Sequence, residues 1–519
     1  MSGSLLLRCT LLTALAIGAS PARAELAFSA YRFETTAHGS HDAEVAFFEV
    51  PQRHAHPDGP RYKLRVVRLA ARQPLPGAIP IVYLAGGPGG SGVGTARGPR
   101  WPIFDRMREH HDVLLFDQRG TGLSDVPPPC PYPASLAMAE LASARQEAQA
   151  TARKCVEEWR RQGIDLDSYT TLESAADLKV LQQAYGSAQI QLWGMSYGTH
   201  LAIAVLREHP QIVARAVLMG VEGPDDTFKL PLSADRMLAR HAALIAAAPA
   251  TRERYPDLVG DTRALLAELR ERPRMATRWR PGAAREVRIT EFAAQRAIAQ
   301  GLGHRDSARR VPLMVRMARE GDDSLLAEYV YAIDQGEGQL QAMPLVMDHA
   351  SGASAQRLQQ IEAEAARSLF GHALNFPYPE IGAGLALPQL DAAFRAPLQS
   401  SVPILLVSGD LDLRTPPENA ERLLQHLDQA GHVRIANALH DDDLWLSHPE
   451  IGTLLHEFFA GAAPVDRQLQ AAPPDYARNA YAEIWRELKG PLLGPMIVLV
   501  ATALTLRYGW RRWRRTRGV

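Results

Sequence analysis

The sequence predicts an α/β fold: a mostly parallel sheet flanked by helices, with a large helical lid before the penultimate core strand and a C-terminal transmembrane helix. Three observations predict it. Apolar strand-like runs alternate with helical segments from residue 79 to 219, which is the signature of a parallel sheet. A helical stretch of ~170 residues then intervenes, and the strand pattern resumes at 402–407. In the first half, Gly194-Met195-Ser196-Tyr197-Gly198 ends a short apolar run and opens a helix. That strand–turn–helix setting gives an otherwise common G-x-S-x-G pentapeptide its meaning.

The elements follow in order. Residues 1–24 look like a secretory signal peptide. Arg8 precedes an apolar run, and Ala22-Arg23-Ala24 offers an A-x-A cleavage site. Cys9 belongs to that segment. The first part of the core spans 25–224. Residues 26–35, 43–50 and 61–70 read as strands of an antiparallel start, and 79–84 and 111–116 as two more. Helices are expected over 136–162 and 171–185. Thr170 with Glu173 suits a capping box for the second, and Gly186 its end. Strand 188–193, helix 197–208 and strand 212–219 complete this part.

From 225 to 395 strand-like runs disappear, and Ala, Leu, Arg and Glu recur at helical spacing. This is the expected lid. The second part of the core, 396–465, holds strand 402–407, helix 417–429, strand 432–437 and helix 448–460, with Ser447 and Glu450 placed to start the last helix. Residues 466–489 read as a linker. Residues 490–509 are uncharged but for Arg507, just long enough to cross a hydrocarbon core. The arginine-rich 510–519 would mark the cytoplasmic side, with Tyr508, Trp510 and Trp513 at the interface. The expected body is thus secreted and membrane-tethered, on the periplasmic or extracellular side.

Formal net charge is zero. Two arginines and no acid precede Glu25, and six arginines and no acid follow Lys489, so residues 25–489 hold eight more acids than bases. Such a body offers no electrostatic case for nucleic-acid binding. Outside the signal segment two cysteines remain, Cys130 and Cys155. In an oxidising compartment they are expected to form a disulfide, two free buried thiols being the alternative.

A serine nucleophile needs a base, an orienting acid and two N–H donors for the oxyanion. In a strand–turn–helix serine architecture the chain order is Ser, Asp or Glu, His. The acid is expected after strand 402–407, in Ser408-Gly409-Asp410-Leu411-Asp412-Leu413-Arg414-Thr415-Pro416. Asp412 lies further into the loop and is the candidate; Asp410 reads as a capping residue at the strand end. Of the five histidines beyond it, His426, His432, His440, His448 and His456, only His440 falls on the loop after the last strand. The aspartates at 441–443 either raise its pKa or solvate the loop. Tyr197 N–H is one oxyanion donor. The other comes from Ala85-Gly86-Gly87-Pro88-Gly89-Gly90-Ser91-Gly92; Pro88 has no N–H, so Gly87 is the candidate, with Gly89 second. The loop lacks the lysine and spacing of a phosphate-binding P-loop. No metal-ligand spacing stands out, and neither metal nor cofactor is expected.

Gly86-Gly87-Pro88-Gly89-Gly90, Asp117-Gln118-Arg119-Gly120-Thr121-Gly122, Gly194-Met195-Ser196-Tyr197-Gly198-Thr199 and Gly409-Asp410-Leu411-Asp412-Leu413-Arg414-Thr415-Pro416 lie in this order. Together they resemble the proline iminopeptidase and tripeptidyl aminopeptidase family of α/β-hydrolases, over about 45–224 and 396–460. The resemblance implies the α/β-hydrolase fold and a serine exopeptidase that removes short units from peptide N-termini, with Ser196, Asp412 and His440 as its triad. It implies that Asp117 to Gly122 is a structural turn supporting the site. Cys130 and Cys155 fall where the chain resembles secreted members. Many relatives carry histidine where this chain has Ala85, and the lid resembles none of them. The family receives the substrate's α-ammonium on acidic groups. Glu222 is the candidate here; a solvated hinge residue before the lid is the alternative. Two other functions stay open: an esterase or small-molecule hydrolase with the same triad, and a tethered binding protein without catalysis. The expected partners are a peptide or small acyl substrate and the membrane.

Overall fold

The structure, a computed structural model, describes residues 25–133, 136–280, 283–336 and 338–479. Ten strands form one sheet: β1 (Ser29–Glu34), β2 (Ser40–Pro51), β3 (Arg61–Leu69), β4 (Ile81–Leu84), β5 (Val113–Asp117), β6 (Ile190–Met195), β7 (Val213–Met219), β8 (Ile404–Gly409), β9 (Ala430–Ala436) and β10 (Arg467–Gln470). Their order across the sheet is β1-β2-β3-β5-β4-β6-β7-β8-β9-β10. The first three strands and the β3–β5 pair are antiparallel. Every pair from β5 to β10 is parallel. Every residue of β4, β5, β6 and β8 is buried. Coverage on both faces explains why these strands read as unbroken apolar runs.

Helices α1 (Leu141–Arg161), α2 (Thr171–Tyr185) and α3 (Tyr197–Glu208) cover one face and bury Trp159, Leu178 and Leu201. Thr170 Oγ1 accepts the Glu173 N–H at 3.2 Å, and Gly186 ends α2 in the left-handed conformation at φ 80°. The reciprocal half of the expected capping box is not made: the Glu173 carboxylate accepts the His54 N–H at 2.9 Å instead. The other face buries an aromatic cluster. Trp193 lies 4.8 Å from both Phe104 and Trp445, ring to ring, and Tyr83 lies 5.6 Å from Trp193. A disulfide joins Cys130, in the segment after β5, to Cys155 on α1.

Between β7 and β8 the chain is mainly helical, from α4 (Pro231–Ala247) through α5 (Ala342–Ser351). This stretch has its own core, including Leu238, Leu265, Ile298 and Val315. It is not free of strands, however. Arg274–Arg280 and Ala283–Ile289 pair as an antiparallel hairpin. Among its described side chains Ala276, Val287 and Ile289 are buried, and its many arginines mask the strand signal in the sequence. The expected linker from 466 is likewise corrected at its start, because Arg467–Gln470 adds a parallel edge strand to β9. Leu469 alone is buried in that strand, too little apolar character to be read from sequence. Nor does Ser447 start the helix Glu450–Phe459: Ser447 ends a short preceding turn of helix, and Pro449 is the cap residue. The expected signal segment 1–24, the span 490–509, the tail 510–519 and the end of the linker lie outside the described residues. Among the described residues no helix is long and apolar enough to cross a membrane.

Candidate active site

Ser196 sits between the last residue of β6 and the first of α3, with φ 55° and ψ −125°. A non-glycine residue rarely adopts this conformation. Hydrogen bonds fix it: Ser196 N–H donates to Met219 O at 2.9 Å, and Thr199 donates to Ser196 O from its N–H at 2.8 Å and its Oγ1 at 2.7 Å. The flanking glycines make the sharp turn possible. A Cβ on Gly194 would lie 2.6 Å from Gly198 O, and one on Gly198 would overlap Leu84 O.

The structure brings Asp412 and His440 together. His440 Nδ1 is 2.8 Å from Asp412 Oδ2. Asp412 has no solvent exposure. Its Oδ1 accepts the N–H groups of Arg414 and Thr415, both at 2.8 Å, and its Oδ2 also accepts Thr415 Oγ1 at 2.7 Å. Four donors thus hold one carboxylate in a fixed plane. Asp410 does different work: its Oδ1 accepts the Asn437 N–H at 2.6 Å and shapes the turn before His440. Burial raises the Asp410 pKa.

His440 and Ser196 line one cavity of about 360 Å³, which none of the four other histidines beyond Asp412 reaches. His432 is buried against Ser408 Oγ at 2.7 Å, and burial lowers its pKa to about 4. The aspartates after His440 anchor its loop. Arg100 holds Asp442 at 2.7 Å and Asp441 at 3.4 Å while its guanidinium covers the Trp445 ring. Arg305 holds Asp443 at 2.7 Å, and Asp443 accepts the Leu439 N–H at 2.9 Å.

Gly86, Gly87 and Gly90 also line this cavity. Gly87 has φ 122° and precedes a cis peptide to Pro88. Gly89 is absent from the lining and faces Pro344. Tyr197 opens α3, so its N–H has no acceptor within the helix. Gly86 allows the loop to lie against the serine, since a Cβ there would be 2.9 Å from Ser196 Cβ. The loop is pinned from below. Asp117 accepts Ser91 Oγ at 2.6 Å, Val93 N–H at 3.2 Å and Leu123 N–H at 3.1 Å. In the same turn Arg119, fully buried, pairs with Asp177 at 2.6 Å.

Glu222 lines the cavity and is only 4% exposed. Its carboxylate is not vacant: Lys229 Nζ lies 3.1 Å from Oε2 and also donates to Thr227 O at 2.8 Å. Asp348 on α5 is coupled to the same pair. Burial, reinforced by Glu222 and opposed by Lys229, raises its pKa to about 8. Thr415, Arg100, Lys229 and Asp348 are residues that sequence reasoning did not select. Thr415 stood inside a quoted motif; the others carry no periodic or motif signal. Among the described residues, Glu109, His110 and His456 place ligand atoms within 4.8 Å of one another and could hold a cation. None of them lines the Ser196 cavity.

A family model described as alpha/beta hydrolase fold matches residues 79–445. The chain is 30% identical to a tripeptidyl aminopeptidase of Streptomyces lividans over 204 residues, 35% of this chain and 36% of that protein. It is 28% identical over 187 residues to the serine protease Hip1 of Mycobacterium tuberculosis, 34% of this chain and 35% of that one. It is 28% identical over 151 residues to a proline iminopeptidase of Xylella fastidiosa, 28% of this chain and 33% of that one. The chain therefore spans about a third of the length of these curated relatives.

Proposed function

The chain belongs to the alpha/beta hydrolase fold family, and from that premise we propose that it is a serine peptidase that removes short units from peptide N-termini. Ser196 Oγ attacks the scissile carbonyl carbon as its proton passes to His440 Nε2. Asp412 holds the Nδ1–H and so presents Nε2 as the base. The N–H groups of Gly87 and Tyr197 receive the oxyanion. Collapse breaks the C–N bond, and the amine leaves with the proton from His440. Water then attacks the acyl carbon as its proton passes to His440, and His440 returns that proton to Ser196 Oγ as the acyl–oxygen bond breaks and the acid leaves. The observation that carries this reading is the 2.8 Å contact between His440 Nδ1 and a four-fold bonded Asp412 carboxylate, with His440 and Ser196 lining one cavity.

Glu222 is the proposed receptor for the substrate's α-ammonium, which would share the carboxylate with Lys229. Residues 225–395 are the proposed lid; Lys229 and His304 from this stretch line the cavity. The proposed address is outside the cytoplasmic membrane, with residues 490–509 as the tether. It rests on the apolar and arginine patterns of the two ends and on the Cys130–Cys155 bond. A reporter fused to the C-terminus and found outside the cytoplasm would defeat that orientation.

The activity is tested on purified protein with aminoacyl, prolyl and tripeptidyl amides beside short-chain esters. Turnover of N-terminally free amides is expected, with loss when the N-terminus is acetylated. Ester turnover without any amide turnover would move the function to an esterase.

A further inference from the structure

At the end of the sheet opposite Ser196, two imidazoles and a carboxylate converge. Glu109 and His110 lie in the turn between the helix Trp101–Met107 and β5, and His456 lies on the helix Glu450–Phe459. The turn leads into the start of β5, whereas Ser196 follows the end of β6, and β5, β4 and β6 run parallel. The two helices pack closely: a Cβ on Gly452 would lie 3.0 Å from Ile103 Cδ1. That packing joins residues far apart in the chain, so no ligand spacing announces them in the sequence.

The imidazole nitrogens face the carboxylate. His456 Nε2 is 3.4 Å from Glu109 Oε2, and His110 Nε2 is 3.9 Å from Oε1. One ligand atom from each residue lies within 4.8 Å of the other two. Around a tetrahedral zinc ion, ligands bound at about 2.0–2.2 Å stand about 3.3–3.6 Å from one another. The Glu109–His456 pair already has that spacing. The other pairs reach it by small side-chain rotations, for which part-exposed groups have room.

Two further observations mark the imidazoles as ligands. His110 Nδ1 lies 3.1 Å from the Gln73 carbonyl oxygen, which can only accept, so Nδ1 carries the proton and Nε2 keeps its lone pair. A metal-bound histidine is oriented in the same way by its outer partner. His456 Nε2 is buried and makes no hydrogen bond, a cost that a bond to a metal ion would remove. The charge around His456 is mixed, with Arg106 opposing a cation and Glu457 favouring one. Two imidazoles select a borderline transition ion over Mg²⁺ or Ca²⁺, which take oxygen ligands.

We propose that Glu109, His110 and His456 form a Zn²⁺ site, completed by water, that clips the helix Glu450–Phe459 to the turn before β5. The site stabilises the fold and takes no part in hydrolysis, so it does not depend on the peptidase reading.

The test uses purified protein without a polyhistidine tag, stripped with EDTA and dialysed. Calorimetric titration with Zn²⁺ is expected to show one ion bound per chain. Melting temperature should rise by about 2–3 °C at a free Zn²⁺ concentration about 100 times Kd, and Mg²⁺ should do neither. Glu109→Gln, His110→Gln and His456→Gln should each weaken Zn²⁺ by at least about 10-fold and remove the melting shift, with circular dichroism as the check on folding. His304→Gln, which removes the imidazole beside Asp441 in the Ser196 cavity, should leave both intact. No Zn²⁺ bound by wild type, or binding that Glu109→Gln and His456→Gln both leave unchanged, would overturn the proposal. So would loss of binding in His304→Gln alone.

Discussion

Asp412→Asn should abolish most activity without unfolding the protein, and the geometry says why. Asp412 Oδ1 accepts two backbone N–H groups, while Oδ2 faces Thr415 Oγ1 and His440 Nδ1. An asparagine has one acceptor oxygen and one donor amide. Turning its amide toward the two backbone N–H groups would leave buried donors unpaired, at about 1–3 kcal/mol each. The oxygen therefore stays with the backbone, and the amide faces His440 Nδ1. Nδ1 must then accept, which moves the ring proton to Nε2. His440 in that tautomer has no lone pair for the Ser196 proton. The expected fall in kcat is about 10,000-fold, or about 5 kcal/mol of transition-state stabilisation. The assay is steady-state turnover of an amide substrate, with circular dichroism as the check on folding. Asp410→Asn is the control, since Asp410 bonds the Asn437 N–H and not His440. If Asp412→Asn kept near-normal turnover while Asp410→Asn lost it, the assignment of the orienting acid would be refuted.

Gly220→Ala places a Cβ 2.8 Å from Thr415 Oγ1 and 3.1 Å from His440 Cε1, at φ 62°. It should lower kcat more than about 10-fold while costing only about 1–2 kcal/mol of stability; unchanged turnover would show that His440 is not held there. Replacing Cys130 and Cys155 together by serine opens a loop with a sequence separation of 25. In the chain-entropy model this costs about 3–4 kcal/mol. Thermal melting should drop, with kcat preserved, and an unchanged melt would contradict it. Asp348→Asn tests the raised carboxyl. A folded-state pKa of about 8, above its ordinary value, means the native protein holds this proton more tightly than the unfolded chain. Stability from this group therefore falls as pH rises from about 4 to about 8. The variant should gain melting temperature over wild type at pH 9 and little at pH 5; equal shifts at both would show that the carboxyl is not perturbed.

Much of the site was legible because its parts are local. The elbow at Ser196 is written in two glycines that make room for crossing backbone. Asp412, further into its loop than Asp410, is the aspartate that meets His440, the histidine on the loop after β9. What escaped was chemistry created by folding. Lys229 meets Glu222 through a short turn that no periodicity marks. Asp348 reaches the same group from α5, 126 residues beyond Glu222. β10 escaped for a related reason: with Leu469 alone buried it carries no period-two pattern, and the hairpin's many arginines interrupt the apolar alternation that marks a strand. The half-made capping box at Thr170 shows a local rule yielding to a tertiary partner, since Glu173 turns to His54.

The central claim is that Ser196 is the nucleophile, activated by His440. Labelling the purified protein with a fluorophosphonate and locating the adduct by mass spectrometry tests it most directly. One adduct is expected, on Ser196, formed by wild type, absent in Ser196→Ala and strongly slowed in His440→Ala. No adduct on the folded wild-type protein, or one that persists in Ser196→Ala, would contradict the account.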